Sequence, residues 1–389
     1  MRKVYLDYSA TTPVKKEVLE TMLPYFSEEF GNPSSLYETG AEVKKALGKA
    51  RKQVAELINA DEKEIFFTSG GTESDNWAIL GVADTKKAKG KHIITTKVEH
   101  HAVLHTCEFL EKHGYEITYL DIDSNGFVRP EDLEKAIRED TILVSVMLVN
   151  NEIGTIQPVK ELVKVAKAHG VLFHTDAVQA LGNCPIDVKD LGVDMLSASA
   201  HKIYGPKGVG ALYIKKGLNI GSSQHGGAQE NKKRAGTENT PGIVGFGKAA
   251  EIAKKNLKEH IDRTTKLRNY LIDRVLTEIE DTFLNGDREK RHPGNANLTF
   301  EYIEGEAMLL MLDMQGISVS TGSACSSASL TPSHVLSALG IPVEKIHGTL
   351  RMTVGDFTTK EDIDYTVDIL KTVVKRLREV SSVSKEKGW

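Results

Sequence analysis

Four short stretches carry residue types that could do chemistry. In "VSTGSACSSASLTPSHV", residues 319–335, Cys325 stands among Ser323, Ser326, Ser327 and Ser329, with Gly322 just upstream. A structural cysteine usually packs among apolar side chains. A thiol in a small polar loop is instead reachable, which suits a nucleophile; the plainer reading is an incidental loop cysteine. In "VDMLSASAHKIYGPKGVGAL", residues 193–212, an apolar strand pattern runs into Ser199, Ala200, His201 and Lys202. A lysine straight after a buried strand either snorkels to water or serves as an amine that forms Schiff bases once its pKa is depressed. "VLFHTDAVQA" ends another apolar strand in Asp176, with Gln179 three residues on; the competing role for Asp176 is a helix cap. "EIFFTSGGTES" ends a strand in Gly70, Gly71 and Thr72 and opens a helix. The free N–H groups there suit a phosphate, and the plainer reading is a tight turn.

Two further patterns are decoys. "GIVGFGKA", residues 242–249, nearly matches a phosphate-binding P-loop but has Ala249 where a magnesium-binding Ser or Thr is required. The same glycines resemble a dinucleotide fingerprint, yet "ENTPGIV" is a poor preceding strand. His101 and His105, four apart, could share a metal on a helix but bring no third ligand in a recognisable motif.

The elements that must position these groups alternate. Strands "EIFFT", "HIITT", "EITYLD", "ILVSVMLV", "VLFHTD", "VDMLSASA" and "GVGALYI" are separated by amphipathic helices or short loops. That order implies an α/β fold with a mostly parallel sheet covered on both faces, and ligands bind beyond the carboxyl ends of such strands. The N-terminal "VKKEVLETMLPYFSEEF" reads as one helix, and helical "GKAAEIAKKNLKEHIDRTTKLRNYLIDRVLTEI" bridges to a second region with strands "NANLTF" and "GTLRMTV". The tail "SSVSKEKGW" is polar and expected to fray.

Composition narrows the classes. With 389 residues, 40% apolar, 27% charged and a net charge of -4, the chain has room for two domains, and nucleic acid is not its main partner. Lys232, Lys233 and Arg234 read as a solvated basic face. No apolar core follows "MRKVYLDYSATT", so no secretory signal is expected. The run "ILVSVMLV" falls far short of the roughly 18 residues of a membrane span. Cys107, Cys184 and Cys325 form neither a disulfide framework nor a zinc pattern, so the expected compartment is the cytoplasm.

A phosphate cradle, a strand-end Asp and a strand-end Lys are together the parts needed to hold pyridoxal 5'-phosphate (PLP): Lys202 for the aldehyde, Asp176 for the ring nitrogen, the helix start for the phosphate. At this point the chain resembles the cysteine desulfurases of the NifS/IscS-like class, within the class V aminotransferases. The resemblance runs from "YLDYSATTPV" to "GTLRMTVG" and rests on "GNPSS", "FTSGGTESDN", "EHHAVL", "VNNEIGTIQPV", "HTDAVQALG", "SAHKIYGPKGVGALY", "HGGAQE", "RAGTEN" and "STGSACSSAS".

It implies a fold-type-I transferase. A large domain, residues 15–255, would carry a mostly parallel seven-stranded sheet. Residues 1–14 with 256–389 would form a smaller α+β domain bearing a cysteine loop at about 319–332. Lys202 would hold PLP and move the Cα proton. Asp176 would pair with the ring nitrogen, Gln179 with the ring hydroxyl, and His100 would stack on the ring and assist proton transfer as a catalytic residue. Gly71, Thr72, Ser199 and His201, with Ala200 beside them, would surround the phosphate. Thr237 would reach the phosphate of a neighbouring subunit, which implies a homodimer with shared sites. Asn151 and Arg351 would hold the substrate carboxylate. Cys325 would take sulfur from L-cysteine as a persulfide, release alanine and pass the sulfur to a protein acceptor, such as an iron–sulfur scaffold or a thiolation enzyme. Metal, membrane and direct nucleic-acid contact are not implied. Cys107 and Cys184 remain incidental. A selenocysteine lyase, another PLP transferase such as an aminotransferase, and a non-catalytic scaffold are the alternatives. Two positions depart from the family pattern: Tyr37 stands where His is usual, and Thr353 where Ser is usual.

Overall fold

The computed structural model describes residues 2–321 and 332–381. Cys325 and the 382–389 tail lie outside them. In chain order the strands are β1 (Val4–Tyr5), β2 (Ile65–Thr68), β3 (His92–Thr96), β4 (Glu116–Leu120), β5 (Thr141–Ser145), β6 (Leu172–Asp176), β7 (Met195–Ser199), β8 (Gly210–Ile214), β9 (Thr282–Leu284), β10 (Asn295–Phe300), β11 (Ile317–Ser318) and β12 (Thr349–Thr353).

Seven of them form one sheet in the order β2-β8-β7-β6-β5-β3-β4. β7, β6, β5, β3 and β4 are parallel, while β8 runs antiparallel to both β2 and β7. Every residue of β2, β3, β5, β7 and β8 is buried. That is the pattern of a sheet covered on both faces, and it explains why these strands read as continuous apolar runs rather than alternating ones. The parallel strands all end at one edge. Asp176 closes β6, and Ser199 closes β7 immediately before a single 3₁₀ turn, Ala200–Lys202.

Two smaller sheets come from the chain's ends. β12, β10 and β9 form an antiparallel sheet, and β1 pairs in parallel with β11. Their core of Leu6, Leu298, Phe300, Leu350, Leu370 and others is separate from the cluster under the large sheet, which includes Phe173, Leu196 and Phe246.

Three expected element boundaries change. The helix expected across residues 14–30 is broken into Lys16–Met22 and Pro24–Ser27, because Pro24 has no N–H to continue the ladder. The run "ILVSVMLV" is a strand only to Ser145. The bridging helix starts earlier than expected, at Thr240, and runs to Glu278. It therefore swallows the P-loop decoy. A Cβ on Gly247 would lie 2.5 Å from Ala50 Cα, and one on Gly245 2.5 Å from Met22 Sδ. Those glycines let the long helix press against its neighbours, Glu38–Leu57 and Lys16–Met22; they cradle no phosphate.

Candidate active site

Beyond the carboxyl edge of the large sheet lies a cavity of about 430 Å³. Lys202 reaches into it from the 3₁₀ turn, and its Nζ donates to the carbonyls of Ser9 and, at 2.9 Å, Ala10. The N-terminal arm thus forms one wall. It is fixed there because the Gln179 side-chain amide donates to Ser9 O at 2.9 Å and Ser9 N–H donates to Thr353 Oγ1 at 2.9 Å. Thr353, where the family pattern has Ser, therefore keeps a working hydroxyl.

Asp176 is buried, and its Oδ1 accepts the Val178 N–H at 2.8 Å. Burial raises its carboxyl above the usual carboxylate range, while the Val178 N–H and the Lys202 ammonium pull it back. Across the cavity the helix Gly71–Lys86 begins. A Cβ on Gly71 would meet Val178 Cγ2 at 2.6 Å, so glycine lets this helix start approach the turn after β6. Gly71 and Thr72 line the cavity, as do Ser199 and His201. His201 Nδ1 lies 3.1 Å from Thr11 Oγ1, and burial, then Lys202, push its pKa down to about 4. Ala200 is fully buried behind them.

His100 is the cap of the helix His101–Glu111, and its Nδ1 accepts the Ala102 N–H at 3.1 Å. Burial, with Lys202 next in weight, pushes its pKa down to about 4, so the imidazole at the cavity is neutral, and with Nδ1 accepting from Ala102 its proton is on Nε2 as a donor.

The third wall comes from the smaller sheets. Arg351, on β12, is almost fully buried; its Nη1 donates to Asn151 O at 3.0 Å and its Nη2 to Asp7 Oδ1 at 2.8 Å. Its Nε is buried with no hydrogen-bond partner among the described residues. A guanidinium that lines a cavity suits a carboxylate. Asn151, Arg351, Lys202, Asp176, Gln179 and His100 thus meet in one space, from both ends of the sequence. Thr237 is exposed and does not line this cavity. Tyr37 is also exposed and away from it.

Sequence reasoning missed several wall residues. Asp75 and Glu152 are buried carboxyls facing the cavity. Glu152 Oε2 accepts from Ser333 Oγ at 2.5 Å, and burial pushes its pKa up to about 7 against the pull of Ser333 and Arg351. His334 packs at 4.9 Å, centroid to centroid, from His101, which lies 5.0 Å from His105. Among the described residues no group of His, Cys, Asp and Glu is arranged to hold a metal. Cys107 and Cys184 have thiols pushed up to about 12 by burial, which makes both poor nucleophiles.

The aminotransferase class-V family profile matches residues 4–366. A cysteine desulfurase IscS of Dictyoglomus turgidum is 58% identical over 385 residues, covering 99% of this chain and 98% of that protein. Its counterpart from Methanosarcina thermophila is 57% identical over 383 residues, covering 98% and 95%. Among solved structures, a NifS-like protein aligns with a TM-score of 0.91 at 39% identity, covering 97% of this chain and 100% of that one. SspA in complex with cysteine aligns with a TM-score of 0.83 at 37% identity, covering 92% and 100%. With matches of this extent and identity, the chain belongs to the aminotransferase class-V family, in its cysteine desulfurase branch.

Proposed function

We propose that the protein is a PLP-dependent cysteine desulfurase that converts L-cysteine to L-alanine and carries the sulfur as a persulfide on Cys325. The observation that carries this reading is the meeting of Lys202, Asp176 and Arg351 in one cavity. The residues fit the cofactor: an amine and a buried carboxyl share the cavity with a glycine-opened helix start that can take a phosphate. Lys202 would hold the aldehyde, Asp176 the ring nitrogen, Gln179 the ring hydroxyl and His100 the ring face. Gly71, Thr72, Ser199 and His201 would hold the phosphate. Bound PLP supplies a ring that withdraws electrons from the substrate's α-carbon.

The rest is done by the chain's own side chains. Arg351 and Asn151 orient the substrate carboxylate. Lys202 takes the Cα proton, and neutral His100, protonated on Nε2, assists proton transfer as a donor. The Cys325 thiolate then forms an S–S bond to the substrate sulfur; the Cβ–S bond breaks, and the carbon keeps the electron pair and takes a proton to become alanine.

Three of four apolar clusters among the described residues each lie on one side of a division into residues 15–255 and residues 1–14 with 256–389, and the smallest, Val98 and Ile153 with Val335, Leu336 and Ile346, joins the two sides; this pattern supports the division. The exposure of Thr237, away from its own cavity, supports a homodimer in which it serves a second copy. A protein sulfur acceptor in the cytoplasm completes the reading. No helix among the described residues is long and apolar enough to cross a membrane.

The test is to give the PLP-loaded protein L-cysteine, measure alanine, and locate added sulfur by peptide mass spectrometry. Alanine in step with one extra sulfur on Cys325 is expected. Pyruvate as product, or sulfur on Cys107 or Cys184, overturns it. Preference for selenocysteine over cysteine would reassign the substrate.

A further inference from the structure

Asp75 has no role in the proposed reaction, yet it lines the same cavity. It lies in the second turn of the helix Gly71–Lys86, is 1% exposed, and its Oδ1 has no hydrogen-bond partner. The sheet beneath supplies its neighbours. His174 and Asp176, two residues apart on β6, point to the same face. Ser145 of β5 is the register partner of His174, and Ser197 of β7 is that of Asp176.

His174 is fully buried, and both its ring nitrogens are engaged by hydroxyls: Nδ1 with Ser145 Oγ and Nε2 with Ser197 Oγ, each at 2.9 Å. Its Nε2 lies 3.7 Å from Asp75 Oδ1, beyond hydrogen-bond range. Two rotatable hydroxyls satisfy a neutral imidazole completely, one donating and one accepting. Nothing in the arrangement calls for an imidazolium, and burial drives the His174 pKa far down, to about 3.

The other groups facing Asp75 are acids. Asp176 is one and Glu99 a second, each adding repulsion to the burial that already disfavours an Asp75 anion, with only the Ser197 hydroxyl working the other way. Lys202 acts on Asp176. The carboxyls Asp75, Asp176 and Glu99 are all buried, and one of them, Asp176, has both a backbone N–H and an ammonium to support a charge. Buried carboxyls that repel one another do not all ionise in low dielectric.

We propose that Asp75 is a positioning residue for Asp176: a carboxylic acid kept neutral, so that the negative charge of the pair stays on Asp176. Its chemical identity matters because a second anion there would compete for the ring nitrogen's proton and would push a proton onto Asp176. The consequence for catalysis rests on the cofactor reading; the protonation state does not.

The experiment is infrared difference spectroscopy on the cofactor-free, full-length protein at neutral pH, wild type against Asp75→Asn. Wild type should show a protonated-carboxyl C=O band that shifts in heavy water and is lost in Asp75→Asn. Identical carboxylic-acid regions in the two proteins overturn the proposal. If Asp75→Asn does not fold, nitrogen-15 resonances of His174 in the wild type decide it. A neutral imidazole, with one protonated and one bare nitrogen, is expected; an imidazolium would mean an ionised Asp75–His174 pair and sink the idea. Neither readout uses PLP, so a failed desulfurase assay and a failed Asp75 assignment remain distinguishable.

Discussion

Arg351 and the pair Arg268 and Arg291 are all buried arginines, at 3%, 3% and 2% exposure, and they do opposite things. Arg268 donates to the carbonyls of Arg291 and His292 and to the Asn269 side chain. Arg291 donates to the carbonyls of Asp287, Asn285 and Asn295. Both guanidinium groups, whose pKa values burial pushes down to about 10 and about 9, are used up as staples for the loop before β10. Arg351 makes two side-chain hydrogen bonds, leaves Nε without one, and lines the cavity that Lys202 and Asp176 share. Buried charge alone is thus no sign of a site. An unused donor beside a space large enough for a ligand is.

The largest effect that could break this contrast is at Lys202. Lys202→Ala should abolish alanine release and the visible absorption of covalently held PLP; full turnover in the variant would show that the cavity is not the active site. Next comes Asp176→Asn, which should retain PLP yet slow single-turnover loss of the Cα proton by on the order of a hundredfold or more, since a charge-assisted bond worth roughly 1.5–3 kcal/mol or more is lost. An unchanged rate would remove Asp176 from the mechanism. Arg351→Lys keeps the charge and loses the fork, so KM for cysteine should rise by about tenfold. If KM stays put while Arg268→Met raises it, the assignment of the two arginine types is reversed.

Glu152 sharpens the contrast through pH. Its folded pKa of about 7 stands above the ordinary 4.5, so between those values the folded state holds a proton that the unfolded state has lost. Its stabilising contribution is complete below about pH 4.5 and fades as pH rises to about 7. Relative to Glu152→Gln, the wild type should lose stability across that window, by about 3 kcal/mol at most. Parallel urea melts at several pH values would measure it, and a constant difference would remove the raised pKa. The smallest effect is expected at Arg268→Met: a lower melting temperature from unsatisfied carbonyls, about 1–3 kcal/mol, with kcat unaltered. A large fall in kcat would place the staple in the catalytic machinery.

Much of the fold and site was legible along the chain because it is written in local pattern. Apolar runs with turn residues between them announce strands, and a charged residue directly after such a run, as at Asp176 and Lys202, must lie at the sheet's edge. The glycine decoy at 242–249 failed for one local and one distant reason: the helix-forming stretch around it is continuous, and its glycines answer to Ala50 and Met22, which no short window of sequence contains. Asp75 left a signal that went unread. It shares a helical face with Ala78, Ile79 and Val82, all buried, so a carboxyl there had to be inside. What only the tertiary structure decided is which buried groups remain unused. Arg351 and Arg268 look alike in sequence. The difference lies in partners brought from Asp7 and Asn151 to one, and from Arg291 and His292 to the other, because free donors are a property of packing across the chain and not of the residue that carries them.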